Sequence, residues 1–363
     1  MKGEVMKRSV FILIAALLLV ALVVSLAACG EEETATTAGG GSETTSAATG
    51  NAKVLRMAIP WPVGDPVTEN IQHNFIDKFN AAQNQYVIEL HPAGALMALG
   101  DEFEAVRTGA VEIAGWPTAV FGSVVPEFML AELPFSVNSI EADAEYNVLL
   151  TPIFDKAVTA KHNMKTVYNF TCQGLDIVSV KPVQTLDDWN GLLCQTISPV
   201  TAKVVELLGG AGVAMDFSEG YQALQKKVIE ATPESGSMVI MFKLNEVADY
   251  ITRAYLTPAS IGAWINMDVY NAMPDDIKAI FDQCGKDAQT AINADMIQLY
   301  HTNYDKMAEL GMTVYPLPSA ERDKWAEKVK SYNDELLAGV DQATADQLRQ
   351  ATQELAQKYP YQD

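Results

Sequence analysis

The side chains of this 363-residue sequence that could perform chemistry stand apart from one another and form no catalytic motif. No metal-ligand spacing, phosphate-binding glycine loop or nucleophile elbow is present. The acidic pairs Asp187-Asp188 and Asp275-Asp276 lie beside glycine or proline, where helix capping and turn formation explain them better than acid–base catalysis. We therefore predict that the protein is not an enzyme and that it uses no metal or cofactor. The isolated histidines are His73, His91, His162 and His301.

Composition narrows the class of protein further. The chain carries 46 Asp and Glu against 25 Lys and Arg, a formal net charge of −21. Nucleic-acid binding requires a basic surface, so this balance argues against a nucleic-acid partner. Four cysteines are too few for a disulfide-based scaffold. The length suits a body of two domains.

The first 52 residues have the pattern of a targeting segment followed by a tether. Residues 1–28 begin with positive charges, continue as an apolar run and end in Leu-Ala-Ala, directly before Cys29. This ending resembles the lipobox of bacterial lipoproteins, which implies a cleaved signal peptide and a lipid on the Cys29 thiol. An uncleaved membrane anchor is the alternative. Residues 29–52 would form a flexible tether. Either interpretation places the body outside the cytoplasmic membrane, periplasmic or at the cell surface.

The body alternates predicted strands and helices from its start. Apolar residues recur at helical spacing across residues 68–79, and Gly109 closes a second helix over residues 101–108. The resulting βαβαβ order is typical of a parallel sheet covered by helices. Proline and acidic residues at 274–276 suit the first turn of a long helix. Further strands are predicted at residues 54–60, 86–90, 111–114, 167–172, 176–180, 192–197 and 261–267, and further helices at 201–208 and 221–229.

Six segments between about residues 91 and 276 carry short patterns in a fixed order. They are residues 91–96 (HPAGAL), 103–114 (FEAVRTGAVEIA), 126–135 (PEFMLAELPF), 181–191 (KPVQTLDDWNG), 217–225 (FSEGYQALQ), and 265–266 (IN) followed by 273–275 (MPD). Together they resemble the motifs of the solute-binding subunit of TRAP transporters, the tripartite ATP-independent periplasmic transporters, in its DctP-like, dicarboxylate-type family. Each motif is short, but six in order behind a lipoprotein-like signal are specific.

The resemblance implies an α/β, two-lobed, periplasmic-binding-protein-like fold, with crossing strands and a long helix that spans both lobes. We expect lobe one to comprise residues 53–172 and 256–293, and lobe two residues 173–255 and 294–363. A small organic solute would be trapped as the lobes close and then delivered to the TRAP membrane permease. A ligand-sensing lipoprotein or a secreted enzyme on the same scaffold is the alternative function.

The sequence departs from this family at the position that grips a carboxylate. The family strand usually supplies an arginine, whose planar two-donor fork binds a carboxylate, but Gln195 occupies that position here. A second arginine, which some members place shortly after the glycine matching Gly174, is also missing. A buried carboxylate without a cation is costly, so we predict a neutral or cationic solute. The alternative is that Gln195 only satisfies its strand and that another cation, such as Lys203, replaces the arginine.

Other polar and aromatic residues complete the predicted binding site. Glu234 lies where family members often place polar ligand contacts, although it could equally be a solvated loop charge. Aromatic side chains near strand ends could line the cleft, because strand ends in α/β lobes face the crevice. For each of them core packing is the alternative, and Trp189 and Trp325 are interpreted as structural. The full predicted ligand-binding set is Trp61, Trp116, Tyr168, Phe170, Gln195, Phe217, Glu234, Trp264 and Asn266.

Three cysteines follow the lipobox-like segment. Cys172 and Cys194 fall on predicted strands outside the cytoplasm, so they could form a disulfide, which would leave Cys284 as a core thiol. Sequence alone does not fix the distance between them.

Overall fold

The computed structural model describes residues 52–362. The predicted signal peptide, the lipidation of Cys29 and nearly all of the tether lie outside this range. None of the helices within the described range combines the length and the apolarity that crossing a bilayer demands.

Eleven strands in the described residues form two mixed sheets. Sheet 1 has the order β2-β1-β3-β10-β4, and sheet 2 has the order β11-β9-β5-β8-β6-β7. The strands are β1 (Lys53–Ala58), β2 (Tyr86–His91), β3 (Ile113–Pro117), β4 (Met164–Thr171), β5 (Leu175–Ser179), β6 (Leu193–Thr196), β7 (Ala211–Ala214), β8 (Ala231–Glu234), β9 (Tyr250–Thr257), β10 (Ser260–Asn266) and β11 (Thr313–Pro316).

Helices cover both sheets. They are α1 (Pro66–Ile71), which continues through a π-helical segment (Gln72–Ile76) into α2 (Asp77–Ala82), then α3 (Glu102–Thr108), α4 (Ile140–Lys161), α5 (Pro199–Leu208), α6 (Gly220–Gln225), α7 (Gly236–Met241), α8 (Met267–Asn271), α9 (Asp275–Glu309), α10 (Ser319–Ala338) and α11 (Gln342–Lys358). Short 3-10 segments lie at Leu99–Asp101, Thr118–Phe121, Pro126–Glu132, Leu186–Trp189, Phe217–Glu219 and Leu244–Glu246.

Local sequence signals explain several helix boundaries. The Asp65 side chain accepts hydrogen bonds from the backbone N–H groups of Val67 and Thr68, which caps α1. Helix α3 ends at Gly109, whose φ of 76° lies in the left-handed region, as the sequence predicts. Ser198 caps α5 by accepting from the Thr201 N–H.

Two direct strand-to-strand connections carry the chain between the sheets, and the helices between β10 and β11 make a third crossing. One direct connection joins β4 to β5, and the other joins β9 to β10. Asp143 of α4 lies buried between them and accepts hydrogen bonds from Thr171 Oγ1 and Tyr255 OH, both at 2.9 Å. Burial raises the pKa of Asp143 to about 7. At the same place a Cβ on Gly174 would lie 2.2 Å from the Tyr255 ring, so this connection requires glycine.

Helix α9 runs along both sheets. Near its start Phe281 packs edge-on against Phe75 and Phe79, whose rings lie 5.5 and 5.4 Å away on the sheet 1 side. Near its end Tyr304 donates a hydrogen bond to Asp176 of β5 in sheet 2. The crossing strands and the long shared helix confirm the predicted two-lobed α/β architecture.

The exact division of residues between the lobes remains a proposal. Helix α10 packs on α5 beside sheet 2, whereas α11 packs on α4, which also covers β4 of sheet 1. The C-terminal helices therefore contact elements from both sides of the molecule.

Candidate functional site

The carboxyl ends of strands from both sheets meet at the crossing connections. In sheet 1 the end of β3 pairs with the start of β10, and in sheet 2 the end of β8 pairs with the start of β5. Ligands of α/β sheets bind at such carboxyl ends. We call the space between these ends the interlobe cleft. Its walls are residues 58–61, 91–94, 102 and 116–121 on the sheet 1 side and 195–198, 215–217 and 234–238 on the sheet 2 side.

A hydrogen bond links the two sides of the interlobe cleft in this structure. Trp61 and Trp116 on one wall are at most 2% exposed, and Gln195 on the other wall is 1% exposed. Ser198 Oγ donates a hydrogen bond to the buried carboxylate of Glu132, which joins the N-terminus of α5 to the 3-10 segment after β3. A cavity of about 840 Å³ lies beside this region, between the loop at residues 62–66 and helix α7, with α9 on its third side.

Gln195 is buried, and both its amide nitrogen and its amide oxygen form a hydrogen bond within its own lobe. Its Nε2 donates to the backbone oxygen of Asp216 at 2.7 Å, and its Oε1 accepts from Thr232 Oγ1 at 3.0 Å. A Cβ on Gly220 would lie 2.6 Å from that Oε1 atom, so the glycine leaves space for the amide. These bonds agree with the interpretation that Gln195 only satisfies hydrogen-bonding groups next to its own strand. The Gln195 side chain is uncharged, so this position carries no positive charge.

Each of the five arginines in the described residues contacts another group of the protein, although the Nε of Arg253 has no hydrogen-bond partner. Lys203, the alternative cation, pairs with Glu206 at 3.1 Å on the exposed face of α5. No observation therefore supports a replacement of the missing arginine by Lys203. The partners of the arginines are Glu112 for Arg56, Glu104 for Arg107, the Tyr304 ring for Arg253, the backbone oxygens of Ala254 and Val137 for Arg322, and Asp334 for Arg349.

Glu234 ends β8 and is 7% exposed, so it is not a solvated loop charge. The N–H of Ser235 donates to its Oε1 at 3.1 Å. Burial nevertheless raises the pKa of Glu234 to about 7, because one neutral donor compensates little of the lost hydration. Glu234, Glu132 and Asp143 all contribute, after burial, to raising the pKa of the Cys172 thiol.

Glu102 is a buried carboxylate that sequence reasoning missed. It begins α3 with 0% exposure, and neither of its carboxylate oxygens has a hydrogen-bond partner. Burial, followed by the nearby charge of Asp216, raises the pKa of Glu102 to about 9. The available signal was its helical spacing, since Glu102 stands four residues before the buried Val106 and shares its face.

The predicted aromatic residues separate into different environments. Trp116 and Trp264 stack at 4.2 Å in a fully buried cluster on the α4 side of sheet 1. Tyr168 and Phe170 lie on the opposite face, where Tyr168 contacts Phe75 at 5.3 Å in the cluster shared with α9. Core packing, the alternative interpretation, describes these four.

The remaining predicted residues also differ in position. Trp61 follows β1 at the strand end, and Phe217, partly exposed, packs against Phe242 at 5.6 Å beside sheet 2. Asn266 lies at the far end of sheet 1, away from the interlobe cleft. There its Oδ1 caps α8, and its Nδ2 donates to Val106 O at 2.8 Å. The structure therefore brings Trp61, Gln195, Phe217 and Glu234 to the strand ends and assigns Asn266 to helix capping.

The cysteines do not pair in this structure. Cys172, Cys194 and Cys284 are all free thiols, so the disulfide considered between Cys172 and Cys194 is not formed. Cys194 is buried within β6, where it lies between β7 and β8. Within residues 52–362, no three His, Cys, Asp or Glu side chains are grouped so that they could hold a metal ion.

Comparison with known proteins identifies related sequences over most of the body. Residues 57–339 match the family described as bacterial extracellular solute-binding protein, family 7. The C4-dicarboxylate-binding periplasmic protein DctP of Rhodobacter capsulatus is 26% identical over 280 residues, which cover 74% of this chain and 81% of that protein. The ectoine/5-hydroxyectoine-binding periplasmic protein UehA of Ruegeria pomeroyi is 22% identical, over 64% of this chain and 68% of that protein.

Solved structures share the fold. DctP7, an extracytoplasmic solute receptor of Bordetella pertussis that binds pyroglutamic acid, superposes with a TM-score of 0.78 at 20% identity, covering 83% of this chain and all of the other. A TRAP periplasmic solute-binding protein of Desulfovibrio salexigens with bound orotic acid gives a TM-score of 0.75 at 18% identity, covering 84% and 99%. The family and these structural neighbours are solute receptors, not enzymes.

Proposed function

This chain belongs to bacterial extracellular solute-binding protein family 7, and on this premise we propose that it captures its solute without a carboxylate–arginine clamp. The chain is an extracytoplasmic, TRAP-type solute receptor. The proposal concerns the chemistry of the interlobe cleft, where the solute is neutral or cationic. Delivery to TRAP permease subunits and a lipid anchor at Cys29 belong to the same proposal.

The position of Gln195 is the observation that carries the proposal. Its amide is uncharged and already bonded to Asp216 and Thr232. The cleft walls instead contain the buried carboxylates of Glu102 and Glu234. A carboxylate solute placed there would be desolvated without a guanidinium donor, which is unfavourable, and it would be repelled by these groups wherever they are ionised.

Named relatives show the contrast in ligand chemistry. Pyroglutamic acid and orotic acid, bound by two structural neighbours, are carboxylic acids. Ectoine, named for the Ruegeria pomeroyi relative, is a zwitterion that also carries a carboxylate. A carboxylate solute is therefore the competing outcome for this chain, and a binding experiment separates the two.

Closure of the cleft around the solute follows from the arrangement of the lobes. The two crossing connections and α9 leave a hinge around which sheets 1 and 2 can separate. A solute favours the closed form only if it binds that form more tightly than the open one. Buried groups on both walls would provide this difference in affinity.

A thermal-shift screen of residues 49–363, which form one compact unit, tests the proposal. The panel contains carboxylates, neutral polyols, and neutral and cationic aromatic compounds at millimolar concentration. A ligand at 100 times its dissociation constant should stabilise the protein by about 2.7 kcal/mol. Stabilisation by non-carboxylates alone supports the proposal. Stabilisation by a mono- or dicarboxylate contradicts it and requires a cation elsewhere in the cleft.

A further inference from the structure

Glu102 differs from every other buried carboxylate in the described residues. Six Asp and Glu side chains between residues 52 and 362 are buried, and five of them accept at least one hydrogen bond. Glu102 accepts none, although both of its oxygens are inaccessible to solvent. A buried carboxyl group without partners is destabilising, so its retention requires a compensating role.

The fold places Glu102 on the sheet 1 wall of the interlobe cleft. Helix α3 leads into β3 and runs back along it, so its first residue lies at the carboxyl end of that strand. Phe103, the next residue, packs against Trp116 at 6.0 Å and Phe121 at 5.4 Å, both at this end. Across the cleft stands Asp216, whose backbone oxygen accepts from Gln195.

We propose that Glu102 accepts a hydrogen bond from a positively charged nitrogen of the solute, so that the receptor takes an organic cation. The nitrogen belongs to an ammonium, amidinium or guanidinium group and lies between Glu102 and the Asp216–Gln195 side. This inference rests on the proposed function and names the charge of the solute. A cation supplies the missing donors to Glu102, and the neighbouring aromatic cluster adds attraction for positive charge.

The charged groups around Glu102 favour a cation over an anion. Asp216 faces it from sheet 2, and Asp101 precedes it in the chain. The positive charge on its own helix, Arg107, is held by Glu104 at 2.6 Å on the surface. His162, from the end of α4, lies against Phe103, and burial lowers its pKa, so that it is neutral at physiological pH. The local field is therefore negative.

Proton release gives this inference a signature that needs no variant. Because burial raises its pKa to about 9, Glu102 carries a proton at pH 7 as long as it stays buried as in this structure without a bound cation. A cation binds the carboxylate form, so binding releases about one proton, and affinity rises about tenfold per pH unit up to pH 9. A neutral solute that accepts a bond from protonated Glu102 releases no proton. Calorimetry in two buffers of different ionisation enthalpy measures this number directly.

Compounds of matched shape and different charge provide the test. Residues 49–363 are titrated with ammonium, amidinium and guanidinium compounds, their amides and their carboxylates, benzamidine, benzamide and benzoate being one such triplet. We expect the cations to bind. Glu102→Gln should weaken the bound cation about 100-fold. Glu104→Gln, on the exposed face of the same helix, serves as the matched control and should leave binding unchanged.

The outcomes distinguish this inference from the proposed function. Two results would contradict the role of Glu102: binding of uncharged compounds alone, or cation binding that Glu102→Gln leaves intact and that releases no proton. Neither result would contradict the proposed function, a receptor without a carboxylate–arginine clamp. Binding of carboxylates alone overturns both statements about solute charge. Failure of the whole panel to bind contradicts the proposed function together with this inference.

Discussion

Replacement of Glu102 by glutamine should change the way stability depends on pH. The folded-state pKa of about 9 lies above the ordinary value of 4.5. Between these values the folded protein keeps a proton that the unfolded chain has lost, so the free energy of unfolding falls as pH rises. Glu102→Gln removes this titration, and its stability should therefore decline less with increasing pH.

The magnitude follows from the size of the pKa shift. Within this window the free energy of unfolding of the wild type falls by about 1.4 kcal/mol per pH unit. The difference in the free energy of unfolding between the two proteins should therefore change by about 4 kcal/mol from pH 5 to pH 8. The amide introduced by Glu102→Gln would itself be buried without partners, but that cost does not depend on pH. Asp143, Glu132 and Glu234 also have raised pKa values, and they titrate equally in both proteins.

Urea unfolding at several pH values, followed by tryptophan fluorescence, measures this difference. Glu104→Gln is the control, because Glu104 is exposed and paired with Arg107. We expect the wild-type and Glu102→Gln curves of stability against pH to diverge from about pH 5 upward. Parallel curves would show that Glu102 is hydrated or paired in solution and would refute the reasoning behind its role as a receptor for positive charge.

Three further predictions concern the connections between the sheets and the thiols. Gly174→Ala should destabilise the protein by more than about 2 kcal/mol in urea unfolding, because its Cβ would overlap the Tyr255 ring. A loss below about 0.5 kcal/mol would contradict that contact. Asp143→Asn should lower the free energy of unfolding by about 2 kcal/mol at pH 8, since an amide cannot accept all the hydrogen bonds of the carboxylate. Unchanged stability would contradict the importance of these hydrogen bonds. Reducing agent should leave the melting temperature unchanged, because Cys172 and Cys194 are free, and a downward shift would indicate a disulfide.

Periodicity and turn residues predicted much of the fold. The helix that ends at Gly109 and the long helix after Pro274 both form where the pattern indicates them. Helix α4 was not predicted, because it contains Pro152 and buries residues around most of its circumference, which weakens the amphipathic signal. Strands β7 and β11 were also missed, since each has only four residues and no buried one.

The candidate site was harder to predict than the fold. Gln195 and Glu234 could be identified because they replace or accompany family motifs, and both lie buried at strand ends. Glu102 could not, because an acidic residue in the first turn of a helix is ordinarily an exposed partner of the helix dipole. Its burial depends on how α3 packs on sheet 1, and its spacing of four residues from the buried Val106 is the local signal that accompanies it. The Trp116–Trp264 stack likewise depends on pairing between β3 and β10, which lie far apart in the chain.

The position of β10 affects the order in which the protein can fold. This strand lies between β3 and β4 in sheet 1, yet it follows the whole of β5 to β9 in the chain. A growing or translocating polypeptide cannot complete sheet 1 until residue 266 is available, and by then the strands of sheet 2, apart from its edge strand β11, are already present. Such non-local pairing slows folding and leaves strand edges exposed. The N-terminal half therefore has no finished native state of its own, and the chain must be held unfolded until most of it has been delivered.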